Sequence, residues 1–289
     1  MGGDDLGSDD EYLSGEVVEE DNVFDFGNSN NKKNKSVLEA STVAVIDEED
    51  DNHKRKRNSE DDAISPGNNK KSKTKPSRQK LLLKAGSAIE QESAENQSSF
   101  LWTALLHHHE LKSGKEGKDE DEPSELQPKL QPFHLITPKS GTDFASRLRE
   151  CLPSMKQLKT WKHTKSPLAI IVCLSARRAV QVLKDMKPFK TRAAKLFAKH
   201  LTVQEQTEWL QQTPFGLAVG TPHRLNVLCQ SGALQLSATR LIILDAHQDS
   251  KGFTVCTLPD TAPHCMEFLK DRFLPALKER PKQIKLAFC

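Results

Sequence analysis

The feature that most limits the possible fold is the alternation of short apolar segments with helical patterns after residue 141. Short apolar strands separated by helices indicate βαβ units and a parallel sheet covered by helices on both faces. Strands are predicted at 168–173, 195–198, 215–219, 241–244 and 284–288, and helices at 142–158, 177–186, 203–211, 224–230 and 266–277. The sequence therefore predicts one α/β domain over residues 141–289.

The chain before this domain has a different composition. Residues 1–80 are rich in Asp, Glu, Asn, Ser, Gly and Lys without a sustained hydrophobic period, which predicts a long disordered N-terminal arm. Residues 1–62 contain 19 acidic and 7 basic residues, a net charge of −12, whereas the remaining 227 residues carry +14. A basic domain favours polyanionic partners, for which an acidic arm can compete. Residues 81–140 are predicted to form a docking helix, beginning near Ser98 and Ser99, and a proline-punctuated linker.

Two basic clusters inside the arm are dense enough to serve as a nuclear import signal or a nucleic-acid-binding arm. The clusters consist of Lys54, Arg55, Lys56 and Arg57, and of Lys70, Lys71, Lys73 and Lys75. The alternative is a solvated charged tail, because short basic runs also arise by chance. The presence of two clusters favours a nuclear address.

Several classes of protein and site are disfavoured. The longest apolar run covers residues 168–174, far short of the roughly 20 residues that span a bilayer. The N-terminus lacks the apolar core of a signal peptide, so no membrane partner is expected. The six cysteines show neither a CxxC pair nor zinc-like spacing, which predicts reduced, buried thiols. His107, His108 and His109 are adjacent, and adjacent side chains on a helix diverge, so no metal site is expected.

Cationic and histidine side chains follow four of the predicted strands. In open parallel sheets, ligands bind at the carboxyl ends of the strands, where helix N-termini add N–H groups that favour phosphate. The residues there include Arg177, Arg178, Lys199, His200, Thr221, His223, Arg224 and His247. We therefore predict a phosphate-tracking surface at this edge. The alternatives are that the cations are simply solvated and that Thr221-Pro222 is a helix-starting turn kept for folding.

Motifs at these strand ends resemble those of DEAD-box RNA helicases. Gly220-Thr221-Pro222-His223-Arg224 and Leu241-Ile242-Ile243-Leu244-Asp245-Ala246 are similar to the helicase stretch from TPGR to DEAD. Ser175-Ala176-Arg177-Arg178-Ala179 stands in the place of PTREL, and residues 282–288 resemble the strand leading into SAT. The resemblance implies a single RecA-like parallel sheet flanked by helices, the degenerate first domain of such a helicase.

The same resemblance implies which residues lie near an RNA backbone. Arg177, Thr221 and Arg224 match the PTREL and TPGR positions that contact RNA in helicases. Lys199 and His200 occupy the place of a Gly-Gly turn, which removes room for a close backbone approach, and phosphate contacts from the side chains of Lys199 and Arg224 would substitute for it. These five residues form the predicted RNA-binding set.

The departures from the helicase pattern concern the groups that hydrolyse ATP. No GxxxxGK[ST] phosphate loop occurs in the sequence. Ala246 replaces the glutamate of DEAD and can neither orient an attacking water nor accept its proton. Asp245 is expected only as a helix cap or turn residue. We predict no cofactor, no small-molecule substrate and no enzymatic activity.

An ATP-inactive RecA-like domain behind an acidic and then basic arm resembles the Cms-type family of U3-containing 90S pre-ribosomal complex subunits. The similarity lies in Gln97-Ser98-Ser99-Phe100-Leu101-Trp102, Ser124-Glu125-Leu126, Lys195-Leu196-Phe197-Ala198-Lys199-His200 and Val219-Gly220-Thr221-Pro222-His223-Arg224. It implies a nuclear and nucleolar small-subunit biogenesis factor whose partners are pre-ribosomal RNA or a U3-containing ribonucleoprotein and other assembly factors. The alternatives are a protein scaffold without RNA contact and an ATP-dependent helicase with an unconventional site.

Overall fold

The computed structural model describes residues 78–114, 123–139, 141, 143–199 and 201–289. The predicted arm, apart from residues 78–80, lies outside these residues, as do both import clusters and His200. Within the described part of the chain, no helix is both long and apolar enough to cross a membrane.

Six parallel strands form one sheet in the order β1-β6-β5-β2-β4-β3. The strands are β1 Leu135–Ile136, β2 Ala169–Val172, β3 Ala193–Leu196, β4 Leu217–Gly220, β5 Leu241–Leu244 and β6 Lys285–Phe288. Because every pair is parallel, the strands all end at one edge of the sheet, the carboxyl edge, and all begin at the opposite edge, the amino edge. The predicted fold class, a single parallel α/β sheet flanked by helices, is confirmed.

Helices cover both faces of this sheet. They are α1 Arg78–Ala85, α2 Ala94–Ser113, α3 Phe144–Cys151, α4 Met155–Lys159, α5 Ala176–Asp185, α6 Val203–Gln212, α7 Pro222–Gln230, α8 Ala262–Phe268 and α9 Leu274–Glu279. A turn of π-helix, Leu269–Phe273, joins α8 to α9. Side chains of α3, α4 and α5 pack on one face, and those of α1, α2, α7, α8 and α9 pack on the other.

The central strands are apolar because both of their faces are buried. Successive side chains of a strand alternate between faces, and in β2 Ile170 packs in one core cluster while Ile171 packs in the other. Both side chains are fully buried. Burying a side chain of this kind contributes about 1.5–3 kcal/mol, so the continuous apolar run at 168–173 is explained by two-sided packing.

The predicted helix at 142–158 is wrong, because two helices occupy this segment. Helix α3 ends before Leu152, and Pro153 follows, which has no N–H to continue the helix. Ser154 then begins α4, since its side chain accepts a hydrogen bond from the backbone N–H of Gln157 at 3.3 Å.

The predicted start of the docking helix near Ser98 and Ser99 is also wrong. Helix α2 begins at Ala94, and Ser93 caps it by accepting a hydrogen bond from the backbone N–H of Asn96. Ser98 is buried inside the helix, where its hydroxyl donates to the carbonyl oxygen of Glu95. A serine inside the helix therefore produced the false capping signal.

Strand β1 was not identified from the sequence. Leu135 and Ile136 pair with Leu286 and Ala287 of β6, but two apolar residues show no periodicity from which a strand can be predicted. Both β1 and α2 lie before residue 141, and Leu101 of α2 packs in the same core cluster as the sheet. The division of the chain at residues 80 and 140 stays a prediction.

All six cysteines are buried free thiols, which confirms the prediction of reduced cysteines packed as small apolar side chains. Burial raises the pKa of Cys229 to about 12. The Sγ atoms of Cys151 and Cys289 lie 3.8 Å apart.

Candidate nucleic-acid interface

The carboxyl edge places the ends of β3, β4, β2 and β5 side by side in that order. Lys199 lies in the loop after β3, Thr221 follows β4 directly, and Arg177 lies in the first turn of α5 after β2. We define the carboxyl-edge surface as Arg177, Lys199, Thr221 and Arg224, the described members of the predicted RNA-binding set. The fold brings all four to one edge, but it gives them different surroundings.

Arg177 and Arg178 are adjacent in the sequence and point in different directions. Ser175 caps α5 by accepting a hydrogen bond from the backbone N–H of Arg178 at 3.2 Å. Arg177 is exposed to solvent. The guanidinium of Arg178 turns inward and donates through Nε to Oδ2 of Asp245 at 2.8 Å and through Nη2 to Oδ1 at 2.9 Å. This bidentate geometry is the strongest form of Arg–carboxylate contact.

The Arg178–Asp245 pair neutralises the carboxylate at the carboxyl end of β5. Asp245 is completely buried. Burial alone would lower the pKa of Arg178, but the hydrogen bond and charge of Asp245 outweigh it and raise that pKa above its ordinary value. The expectation that Asp245 is only a cap or turn residue is therefore wrong, because its main partner is Arg178. Its Oδ1 also accepts a long hydrogen bond, of 3.4 Å, from the backbone N–H of His247, as a turn residue would.

The loop between β1 and α3 lies where nucleotide-binding α/β proteins hold phosphates, between a strand and the N-terminus of the next helix. Here the helix N-terminus carries its own anion, because Asp143 accepts hydrogen bonds from the backbone N–H and the hydroxyl of Ser146 at 2.9 and 2.7 Å. These bonds lower the pKa of Asp143, so the carboxylate is ionised. The next residue, Phe144, packs under the guanidinium of Arg178, 5.5 Å from ring centre to carbon. The arrangement is unfavourable for a nucleotide phosphate.

Arg224 has internal partners. Its Nη1 donates to the carbonyl oxygen of Leu201 at 2.9 Å and to Oε1 of Gln206 at 2.7 Å. Gln206 is completely buried and donates to the carbonyl oxygens of Lys195 and Phe197, at the outer edge of β3. Arg224 thus holds the loop that follows β3, and burial lowers its pKa.

That loop, residues 197–202, presents Lys199 to solvent. Thr221 is the N-cap residue of α7 with Pro222 at the first helical position, but its side chain makes no capping hydrogen bond. Pro222 is buried and Thr221 half-buried. The exposed cations of the carboxyl-edge surface are therefore Arg177 and Lys199.

A histidine pair lies beside this surface. The rings of His223 and His264 are T-shaped, with 4.9 Å between their centres. His264 Nδ1 lies 3.7 Å from Oε2 of Glu267, and Oε1 of Glu267 accepts a hydrogen bond from Lys112 Nζ at 3.3 Å. His264 and Glu267 were not predicted from the sequence, because α8 lies far along the chain from His223 and no local pattern links them. Among the described residues, no group of three His, Cys, Asp or Glu is arranged to hold a metal ion.

A family model named CMS1 and described as "U3-containing 90S pre-ribosomal complex subunit" matches residues 135–288. The match covers more than half of the chain and contains all six strands of the sheet. The chain belongs to the CMS1 family. The resemblance to Cms-type proteins drawn from the sequence is thereby confirmed.

Curated relatives agree with this assignment. The human protein CMSS1 is 32% identical over 146 residues, which cover 49% of this chain and 52% of the relative. Protein CMS1 of Chaetomium thermophilum is 34% identical over 132 residues, 44% of this chain and 53% of the relative. The chain spans about half the length of the curated CMS1-family relatives it matches.

Similar solved structures include a Saccharomyces cerevisiae Dbp5 variant bound to RNA and ADP BeF3. It shares 19% sequence identity with this chain, covering 64% of this chain and 43% of Dbp5 with a TM-score of 0.35. A second Dbp5 structure, bound to Nup159, Gle1, IP6 and ADP, gives 16% identity and the same TM-score.

Two apolar grooves of this CMS1-family chain are lined by residues of α1 and α2. One, of about 380 Å³, runs between α1 and α2 and is lined by Leu81, Leu82 and Phe100. The other, of about 220 Å³, is lined by Leu82, Leu111 and Met266. Leu81 lines the first groove and Leu111 the second, and their side chains are 52% and 70% exposed.

Proposed function

We propose that this chain is a non-catalytic assembly factor of the U3-containing 90S pre-ribosome, the small-subunit precursor, and that it binds precursor RNA through its carboxyl-edge surface. The observation that carries the proposal is the exposure of Arg177 and Lys199 at an edge where Asp245, a neighbouring carboxylate, is neutralised internally by Arg178. Two exposed cations beside helix N-termini favour phosphate contacts. The family's description supports the pre-ribosomal context.

In this proposal, three residues explain why the chain does not hydrolyse ATP. Asp245, the carboxylate that would hold a magnesium ion, is occupied by Arg178. Ala246 has no group that can activate water. Asp143 places a negative charge at the helix N-terminus after β1, where nucleotide phosphates would have to bind. RNA binding is therefore independent of ATP.

The predicted RNA-binding residues have distinct roles in this proposal. Arg177 and Lys199 contact RNA phosphates directly. Arg224 acts through the loop that presents Lys199, since its guanidinium bonds to Leu201 and Gln206, and Thr221 begins the helix beside that loop. His200 is a further candidate contact next to Lys199.

The test is RNA binding by the full chain, measured by fluorescence anisotropy with a short single-stranded RNA. The double variant Arg177→Gln/Lys199→Gln should weaken binding by about fivefold or more at physiological salt. The release of counterions from RNA phosphates favours binding, and a phosphate that no longer meets a cationic side chain keeps its counterion. The matched control Lys84→Gln/Lys278→Gln removes the same charge at two exposed lysines that do not belong to the carboxyl-edge surface. Equal affinities of the two variants would contradict the carboxyl-edge site.

The alternative function is a protein scaffold of the pre-ribosome without RNA contact. It is favoured by the apolar grooves beside the exposed side chains Leu81 and Leu111. In that case Leu81→Ser/Leu111→Ser would abolish co-purification with pre-ribosomal particles, whereas Arg177→Gln/Lys199→Gln would leave it intact. Nuclear and nucleolar localisation, through the two basic clusters of the arm, belongs to both functions.

A further inference from the structure

The amino edge of the sheet carries a second concentration of positive charge, opposite the carboxyl-edge surface. Strands β2, β3, β4 and β5 begin together there, because Ala169 pairs with Leu217 and Leu241 and Ala193 pairs with Leu217. The segments that lead into these four strands are residues 160–168, 186–192, 213–216 and 231–240.

These four segments contain six basic residues and no acidic residue. The six are Lys162, Lys165, Lys187, Lys190, Arg192 and Arg240. All except the half-buried Lys165 are exposed, and no ion pair between two described residues involves any of the six. We call these six residues the amino-edge surface.

The loops at the opposite ends of the same strands are different. Residues 173–175, 197–202, 221 and 245–261 contain two lysines, Lys199 and Lys251, and three aspartates, Asp245, Asp249 and Asp260. These connecting segments alone carry +6 at the amino edge and −1 at the carboxyl edge, where Arg177 and Arg224 of the adjoining helices add positive charge and Arg178 neutralises Asp245. A concentration of positive charge without acids in the amino-edge segments favours a polyanionic partner.

Hydrogen bonds join the amino-edge segments to one another and to neighbouring helices. The backbone N–H of Gln235 donates to the carbonyl oxygen of Lys165 at 2.8 Å, and the N–H of Ala238 donates to Oγ of Ser166 at 2.9 Å. The Thr191 hydroxyl donates to the carbonyl oxygen of Leu158 at the end of α4. The cations are therefore carried by connected, anchored segments rather than by separate loops.

Two of the lysines have a strained backbone. Lys165 and Lys190 have φ values of 60° and 47°, in the left-handed region, and they are two of the three described non-glycine residues with positive φ. A glycine would adopt this conformation more easily. Strained residues of this kind concentrate at functional sites, so the lysine side chains at these positions point to a binding role.

Two aromatic rings lie in segment 160–168, next to the lysines of the amino-edge surface. The rings of Trp161 and His163 are 4.8 Å apart, centre to centre. Trp161 is fixed by a hydrogen bond from its Nε1 to the carbonyl oxygen of Ser166 at 2.8 Å, and His163 is exposed. An aromatic face beside lysines suits single-stranded RNA, whose unstacked bases pack on aromatic side chains, better than it suits an acidic peptide.

We propose that the amino-edge surface is a second RNA-binding site, in which its lysines and arginines contact phosphates of single-stranded RNA and the ring of His163 stacks on a base. The proposal rests on the proposed function in one respect, that RNA is a ligand of this chain. The location of the site is independent of the carboxyl-edge surface.

The test uses the full chain and a fluorescent oligouridine. The variant Lys162→Gln/Lys187→Gln/Lys190→Gln/Arg192→Gln should bind at least about tenfold more weakly at physiological salt, and log Kd should depend less steeply on log salt, by about 0.7 for each phosphate that the variant no longer neutralises. His163→Ala should weaken binding by about fivefold or more, because a base can no longer stack on the ring. The control Lys80→Gln/Lys84→Gln/Lys112→Gln/Lys139→Gln, which removes the same charge at exposed lysines outside the amino-edge segments and the carboxyl-edge surface, should change affinity by less than about twofold. Circular dichroism melting curves establish that each variant is folded.

The outcomes separate this proposal from the proposed function. If the unmodified chain binds no RNA, both fail. If it binds RNA, and the amino-edge variant binds as well as its control, the second site is overturned while RNA binding stands. If polyglutamate displaces the RNA as effectively as unlabelled oligouridine, the surface is a site for acidic protein, which also overturns the proposal.

Discussion

At the scale of single residues, Arg178 and Asp245 determine the charge that the carboxyl edge presents. Asp245 is completely buried and both of its oxygens accept hydrogen bonds from Arg178. Arg177, one residue earlier, stays in solvent. Two adjacent arginines of one helix therefore differ in role: Arg178 supports the fold and neutralises an acid, and Arg177 is available to a ligand.

Removing Arg178 should destabilise the protein strongly. In Arg178→Met the buried carboxylate of Asp245 loses its partner, so the free energy of unfolding should fall by about 3–5 kcal/mol. In Arg178→Met/Asp245→Leu no buried charge remains, and most of the stability should be recovered. Urea unfolding of the two variants measures both values. A decrease below about 1 kcal/mol in the single variant, the range of exposed pairs, would contradict the role of this contact.

His134 should make stability depend on pH. Its Nδ1 accepts a hydrogen bond from the backbone N–H of Gln131 at 3.1 Å, and burial, followed by the charge of Lys285, lowers its pKa from the ordinary value near 6.5. The unfolded chain therefore binds the proton first, and stability should fall as pH drops below about 6.5 towards the lowered pKa. Burial likewise lowers the pKa of His108, which adds to the same trend.

The comparison that isolates His134 is His134→Gln, since glutamine keeps an acceptor and does not titrate. The difference in unfolding free energy between about pH 7.5 and about pH 5.5 should be smaller in the variant than in the unmodified protein. If the free energy of unfolding changes equally with pH in both proteins, His134 is not responsible for the pH dependence of stability.

At the scale of elements, Gln206 connects α6 to the edge strand β3 and to α7. Its amide donates to the carbonyl oxygens of Lys195 and Phe197 and accepts from Arg224. These bonds cover part of the outer edge of β3, which would otherwise offer free backbone groups to another strand. They also hold the segment from which Lys199 extends.

Replacing Gln206 by leucine should therefore loosen both the edge and the loop. The buried carbonyl oxygens and the guanidinium of Arg224 lose this partner, and the free energy of unfolding should fall by at least about 2 kcal/mol. The matched control is Gln204→Leu on the exposed side of the same helix, with an expected change within about 0.5 kcal/mol. Thermal or urea unfolding provides the measurement, and equal effects of the two substitutions would refute this role of Gln206.

The elements also show what could be predicted from the sequence. Strands β2, β4 and β5 were predicted because both of their faces are buried, which produces continuous apolar runs. The two-residue strand β1 lacks such a run. The break at Pro153 separated two helices whose apolar pattern looked continuous. The contacts of Arg178 with Asp245 and of Arg224 with Gln206 join residues far apart in the chain, and a local pattern contains no information about such pairs.

At the scale of the whole molecule, exposed cations lie at both edges of the sheet, the carboxyl edge and the amino edge. The sequence predicts a basic domain and, by analogy with other parallel sheets, a ligand at the carboxyl edge. The fold shows that some cations at that edge are used internally, whereas the amino edge presents Lys162, Lys187, Lys190 and Arg192 to solvent. Under the two proposals made above, the opposite edges hold two segments of one precursor RNA.

The whole molecule should not respond to nucleotide. In the described part of the chain, Asp245 is paired with Arg178 and Asp143 occupies the helix N-terminus after β1, so neither position offers Mg-ATP a metal ligand or a phosphate site. The melting temperature should stay unchanged in millimolar Mg-ATP, and isothermal titration should give no saturable heat. A dose-dependent rise in melting temperature would instead support a helicase with an unconventional site.

The most direct test of the central claim is ultraviolet crosslinking of the protein to RNA in living cells, followed by sequencing of the bound fragments. The account predicts enrichment of pre-ribosomal RNA or of small nucleolar RNA such as U3, reduced by Arg177→Gln/Lys199→Gln. Recovery of no RNA from a protein that still co-purifies with pre-ribosomal particles would contradict the account and favour a protein scaffold.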